Sequence, residues 1–265
     1  MVEKRVILIT GASSGIGAAT ARLFAEKGYC TVLAARRSDR LQLLAEQINA
    51  KGGDALPVQT DLSDLKQVRH LAEAVKVRYG RIDILFNNAG FGRLRWLEEL
   101  DEEMDVQSQL QLNLVSLSWM TQAVLPLMIS QRSGHIINMA SMAGLVAPPT
   151  YSIYSATKFG VRGFSEALRR EVRIYGIDVS VIYPGAVETE FIEHALIQRK
   201  TGLHTPDWLV LSAEEVAKSI WKLANRPKRM VVIPRIMRLA YWLNTLFPGL
   251  VDWAVQGLFV QPERR

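Results

Sequence analysis

The residues best suited to move a proton are Tyr154 and Lys158, in the run Tyr154-Ser155-Ala156-Thr157-Lys158. Four residues apart on a helix, they share one face and lie one turn apart. A phenol has an ordinary pKa of about 10, and a nearby ammonium favours the phenolate and lowers that value. A tyrosine tuned in this way exchanges a proton with an alcohol or carbonyl oxygen. The same spacing also arises as a solvated surface pair, so its meaning depends on what surrounds it.

A second chemical signal lies near the start. The run Thr10-Gly11-Ala12-Ser13-Ser14-Gly15-Ile16-Gly17 follows an apolar stretch, Arg5 to Thr10, and leads into Ala18, Ala19, Ala21, Leu23 and Phe24. A glycine-rich turn between strand and helix lets backbone approach a pyrophosphate, and the helix N-terminus favours its charge. The loop residues expected at such a ligand are Gly11, Ser13, Ser14, Gly15, Ile16 and Gly17. An ordinary tight turn is the alternative.

Dinucleotide sites often place an acid at the end of the second strand to bind a ribose hydroxyl. Here Ala35 stands at that point and Arg36 and Arg37 follow. Guanidinium holds a 2′-phosphate by forked hydrogen bonds, where a carboxylate would repel it. The reading favours NADP(H), with Arg36 ahead of Arg37 as the phosphate ligand. Asp61, beside Leu62, is an acceptor for the adenine amino group, and Asn88-Ala89-Gly90 lets a cofactor lie against backbone. Asn113 falls mid-helix, a poor place for asparagine by propensity, so it either caps a local break or does polar work inside. Ser141 closes a strand, and strand ends are where ligands bind in doubly wound sheets.

The elements that would position these groups alternate strand and helix. Strands are expected at Arg5 to Thr10, Cys30 to Ala35, Ala55 to Gln59, Asp83 to Phe86, Gly134 to Ala140, Asp178 to Ile182 and Met230 to Ile233. Helices are expected between them, one capped by Ser38 or Asp39, one from Asp64 to Tyr79 and one from Ala213 to Ala224. Two longer ones cover Asp101 to about Arg132, kinked at Pro126, and Tyr151 to Tyr175. Alternation throughout implies an α/β fold with a parallel sheet covered on both faces. The stretch from Glu190 to Leu211, of weak periodicity, reads as a lid over a pocket.

Composition narrows the class. Of 265 residues, 49% are apolar and 22% charged, as expected of a globular chain with a large core. The net charge of +6 is spread along the chain apart from Arg226, Lys228, Arg229, Arg235 and Arg238, so no nucleic-acid partner is expected. Cys30 is the single cysteine and His70, His135, His194 and His204 lack metal-ligand spacing, so neither a disulfide nor a metal site is expected. No signal peptide and no uninterrupted apolar run of spanning length are recognised, and the expected location is the cytoplasm.

Taken together, Thr10-Gly11-x-x-x-Gly15-Ile16-Gly17, Asn87-Asn88-Ala89-Gly90, Asn113, Ser141, Tyr154-x-x-x-Lys158 and Pro184-Gly185 resemble the short-chain dehydrogenase/reductase family over residues 4 to 234. The resemblance implies a doubly wound, Rossmann-type, seven-stranded parallel sheet and a nicotinamide cofactor. It makes Tyr154 the general acid/base, Ser141 the hydroxyl that polarises the substrate oxygen, and Lys158 a further ligand of the nicotinamide ribose. It makes Asn113 the holder of a relay water. Asn88 and Thr189 fall at the nicotinamide end, Val187 at its carboxamide, with Pro184 and Gly185 beside them. It also implies a homodimer or homotetramer formed through the two long helices.

The expected activity is NADP(H)-dependent interconversion of a carbonyl and a secondary alcohol. Phe91, Trp96, Ser141, Met142 and Tyr154, with residues 186 to 212, are the expected substrate contacts and imply an apolar or medium-sized substrate. The alternatives are an NAD-linked alcohol or steroid dehydrogenase and a nucleotide-binding regulator without catalysis. The chain divides into one domain, 1–234, and an apolar, aromatic extension, 235–265. That extension packs on its own domain, forms a subunit interface, or makes peripheral contact with a membrane.

Overall fold

In the computed structural model the described residues are 4–191, 195 and 205–264. Seven strands form one sheet: β1 Val6–Thr10, β2 Cys30–Ala35, β3 Asp54–Gln59, β4 Ile84–Asn87, β5 Gly134–Met139, β6 Ile177–Pro184 and β7 Met230–Ile233. Their order is β3-β2-β1-β4-β5-β6-β7, and every neighbouring pair is parallel. The expected doubly wound α/β sheet is what the chain forms.

The helices are α1 Gly15–Glu26, α2 Ser38–Ala50, α3 Leu65–Tyr79, α4 Glu102–Gln131, α5 Ser152–Val172, α6 Ala213–Asn225, α7 Met237–Leu246 and α8 Pro248–Val255. Side chains alternate across a strand, and β1 shows the result. Ile7 and Ile9 join one apolar cluster with Ala21 and Phe24 of α1, Leu41 and Ile48 of α2, and Ile220 of α6. Val6 and Leu8 join the other, with Leu71 and Val75 of α3, Met120 and Met128 of α4, and Leu168 of α5. Both faces are therefore dry, and each fully buried Leu or Ile contributes roughly 1.5–3 kcal/mol. Across the first layer Phe24 meets Tyr29 and Trp221 edge-on, each at 5.2 Å.

Local signals explain most boundaries. Asp64 caps α3 by accepting from Lys66 N, and Gly80 ends it in the left-handed conformation that glycine takes without strain. Ser212 and Glu215 form a reciprocal capping box on α6. At α2 the expectation fails. Arg37 holds the N-cap position, Ser38 is the first helical residue, and no side chain caps the helix. Cys30 packs inside as expected, although its thiol also donates to Asp54 Oδ2 at 3.3 Å.

The long helix α4 is not uniform. It is wide-turned over Glu102–Gln107 and again over Gln111–Val115 before settling into an α-helix at Ser116–Gln131. Asn113 lies in the second wide turn, so a local break and interior polar work go together. Asp101 caps the start by accepting from Glu103 N and Met104 N. By length and composition α4 would suffice to cross a membrane, but here it packs on α3 and the sheet with Met120, Val124 and Met128 fully buried.

Candidate active site

The chain leaves β1 in one direction, towards β2 and β3, and returns on the other side of β1 as β4. Loops following β1 and β4 therefore diverge, opening the crevice in which doubly wound sheets hold ligands. The crevice is tied together at its floor. Thr10 Oγ1 accepts from Asn88 N at 3.0 Å and Ala89 N at 3.1 Å, and Asn88 Nδ2 donates to the carbonyls of Thr10 and Gly11 at 3.0 and 3.2 Å. Asn87 Nδ2 donates to Asn138 Oδ1 on β5 and to Thr121 Oγ1 on α4. The asparagine amides thus join neighbouring strands, as their type and position imply.

The glycine loop is shaped by contact. Gly11 has φ +66°, and a side chain on Gly17 would bring a Cβ within 2.2 Å of the Gly11 carbonyl oxygen. Only glycine meets the second demand. Thr189 lies across Gly15, where its Cγ2 would sit 3.1 Å from an added Cβ, and Val187 bridges to Leu211. Pro184 ends β6, and Gly185 N donates to Ile233 O at 2.8 Å. The crevice, the exposed loop backbone at the start of α1 and the side chains around it suit an extended dinucleotide.

After β2 the two arginines separate. Arg36 is exposed, and its carbonyl accepts from Gln59 Nε2. Arg37 turns back over the loop, donating to Ser13 Oγ at 3.0 Å, Ser14 Oγ at 2.7 Å and Glu190 Oε2 at 2.9 Å. Glu190 also pairs with Arg40, and the two arginines hold its carboxyl down to about 2, Arg37 first. Asp61 Oδ1 accepts from Ser63 N, while Leu62 is buried in the core.

The chemical group assembles where β5 ends and α5 begins. Ser141 follows β5 in extended backbone, and its Oγ accepts from Ala143 N. Tyr154 and Lys158 are both buried on the first turns of α5. Lys158 Nζ donates to Met139 O at 3.2 Å and lies 5.5 Å from the Tyr154 ring centre. Asn113 grips the opposite wall: its Oδ1 accepts from Phe91 N at 2.9 Å, and its Nδ2 donates to Phe91 O and Thr157 Oγ1. Thr157 Oγ1 in turn donates to Tyr154 O at 2.7 Å. Gly90 sits between, 2.8 Å from Asn113 Oδ1 and 3.5 Å from Lys158 Nζ measured from an added Cβ.

Electrostatics here run against the simple expectation. Burial pushes the Tyr154 phenol up, Tyr151 adds to that, and a hydrogen bond with Ser141 pulls it back. Burial also pushes Lys158 down, to about 8. Each group loses hydration of its charged form, and that loss is the first cause of both shifts. In this environment both groups favour their uncharged forms.

A short chain dehydrogenase family model matches residues 5–199. The chain belongs to that family. An uncharacterized oxidoreductase of Listeria innocua is 42% identical over 194 residues, 72% of this chain and 78% of the other. The 11-beta-hydroxysteroid dehydrogenase A of Sesamum indicum is 31% identical over 278 residues, covering 99% and 79%. Among solved structures, a short chain dehydrogenase/reductase of Burkholderia phymatum in complex with NAD matches with TM-score 0.84 at 27% identity, covering 94% and 96%. A short-chain dehydrogenase of Sphingobium yanoikuyae in complex with NADPH matches with TM-score 0.80 at 30% identity, covering 94% and 95%. The chain is therefore an oxidoreductase of this family.

Around Tyr154 the expected substrate residues are dispersed. Met142 is buried with Leu117, Leu145 and Val161, because the short helical turn after Ser141 points it into the core. Trp96 packs against Phe259 and under the Arg264 guanidinium, both from the C-terminal segment. Phe91 lies beside Arg93. The side chains that do meet Tyr154 are Phe191 at 5.5 Å and Tyr151 at 6.2 Å, with Leu94 and Ala195 in the same cluster. Tyr151 and Phe191 carried a weak signal, being aromatics next to recognised motifs; Thr157 lay inside the Tyr154–Lys158 run. Glu190 carried none, since its partners are 150 and 153 residues away. Most of the expected lid, with His194 and His204, lies outside the described residues. Among the described residues no cluster of metal-ligating side chains is present.

Proposed function

We propose that this dehydrogenase interconverts a carbonyl and a secondary alcohol with NADP(H). The observation that carries the reading is the convergence of Ser141, Tyr154, Lys158 and Asn113 on the end of the crevice, beside the glycine loop. A bound nicotinamide supplies the hydride, and the protein supplies position and a proton. As the substrate oxygen gains negative charge, Tyr154 and Ser141 donate hydrogen bonds to it that strengthen in the transition state. Tyr154 then gives up its proton, and Lys158, buried at 5.5 Å, stabilises the phenolate left behind. Asn113 positions this group: it braces the Phe91 backbone and, through Thr157, the first turn of α5. Its Oδ1 keeps one further lone pair, to which a relay water would donate.

NADP rests on Arg37, whose guanidinium lies over Ser13 and Ser14, with Arg36 next to it. NAD remains the second reading, because Glu190 already pairs with Arg37 and Arg40. The aromatic surroundings of Tyr154 favour an apolar carbonyl or alcohol, and α4 with α5 offers the surface for a homodimer.

The test follows NADPH and NADH oxidation over a panel of apolar ketones, for the parent and for Tyr154→Phe. Turnover should fall by about 10²–10⁴ in the variant while dinucleotide still binds. Dinucleotide binding without turnover of any carbonyl by the parent would make the chain a regulator. A higher kcat/KM with NADH, unchanged in Arg37→Ala, would remove the NADP reading.

A further inference from the structure

Among the described residues, seventeen large hydrophobic side chains are exposed, and nine of them fall between Ile236 and Leu258. That density is not the scatter expected of a protein surface. It has a helical geometry. Along α7, Leu239, Trp242, Leu243 and Leu246 recur at intervals of three and four and face outward. The opposite face of α7 is the one docked on the domain: Tyr241 lies under Arg162 at 5.7 Å, and Met237 Sδ approaches Gly185. The apolar stripe is thus left over after the helix has packed, and Phe247, Leu250 and Trp253 continue it into α8.

We infer that this stripe seats on an anionic phospholipid surface, with α7 and α8 lying in the interface plane. Charge selects this occupant. Residues 226–247 hold five basic and no acidic side chains, and Arg235 and Arg238 are exposed at the start of α7. The chain as a whole carries +6. A second copy would bring that charge against itself, with Asp252 the one exposed carboxylate of residues 235–264 to offset it. Lipid phosphates offset it directly. Trp242 and Trp253, 54% and 75% exposed, are the side chains that suit the headgroup boundary. Neither helical run reaches the roughly 20 residues of a span: α7 has ten residues, and the run from α8 through Gln256–Val260 and Gln261–Arg264 has seventeen.

Flotation of the full chain with phosphatidylcholine vesicles, and with vesicles also containing phosphatidylserine, tests this independently of the reaction. The chain should float with the anionic vesicles and less so as salt rises. The double variant Trp242→Glu, Trp253→Glu should bind at least about ten-fold more weakly, with its melting temperature and dinucleotide affinity retained. Failure of the parent to float, equal flotation with both vesicles, or unchanged flotation of the variant would overturn the inference. So would a parental dimer that the variant dissociates without any lipid binding, which would make the stripe a subunit interface.

Discussion

At the crevice between β1 and β4, buried polar groups serve one another: Thr10 Oγ1 accepts from two backbone N–H groups, and Asn87, Asn88 and Asn113 each bridge two segments, with Asn87 Oδ1 left without a partner. Along α7 and α8 the outward residues are apolar and face solvent. One region hides polar atoms inside and the other shows apolar atoms outside. Both arrangements cost free energy unless something else compensates, a network in the first case and a partner in the second. The lesson is that inverted polarity marks the two surfaces for which a role is proposed above.

The contrast can be broken by substitution, most forcefully at Gly17. A Cβ there meets the Gly11 carbonyl at 2.2 Å. Gly17→Val should weaken nicotinamide dinucleotide binding by about 100-fold or more and cost about 2–3 kcal/mol of stability, read by fluorescence titration and thermal melting. Unchanged binding would show that the loop has room to give.

His135, buried on β5 with Nε2 2.8 Å from Ser180 Oγ, is held down to about 4 by burial. Below an unfolded value of about 6.5 the unfolded chain takes up a proton that the folded chain refuses. Stability should therefore fall as pH drops from about 6.5 to about 4, by about 3 kcal/mol from this group. Urea titrations across that window should show a shallower acid limb for His135→Gln; parallel limbs would mean that the imidazole protonates in the fold.

Thr10→Val keeps the shape but leaves the Asn88 and Ala89 N–H groups without their acceptor, at a cost of about 1–3 kcal/mol. At the other end of the scale, Trp253→Ser should change stability by no more than about 0.5 kcal/mol. A loss there as large as that of Thr10→Val would place the extension within the folding core and remove the contrast.

The strands were legible because a sheet buried on both faces leaves unbroken runs such as Val6–Thr10 and Cys30–Ala35. Gly80 and Asp64 announced their helix ends through local backbone chemistry. The wide turns in α4 were not legible, because Asn113 forms its bonds with residues 22 and 44 positions away. Arg36 and Arg37 are equivalent by type and adjacent in sequence, so only the path of the chain after β2 shows which reaches the loop. Met142 was expected at the site for its place beside Ser141, and the short turn there packs it with Leu117, Leu145 and Val161, a contact only the fold could show.

By itself the amino-acid sequence determined the alternation of strand and helix, the glycine loop and the Tyr154–Lys158 spacing, since each depends on neighbours within one turn or one strand. Tertiary structure decided the rest: that burial raises the phenol and lowers the lysine, that Glu190 faces Arg37, and that α7 turns its apolar stripe outward. Those outcomes depend on desolvation and on contacts between distant segments, and neither quantity exists until the chain is folded.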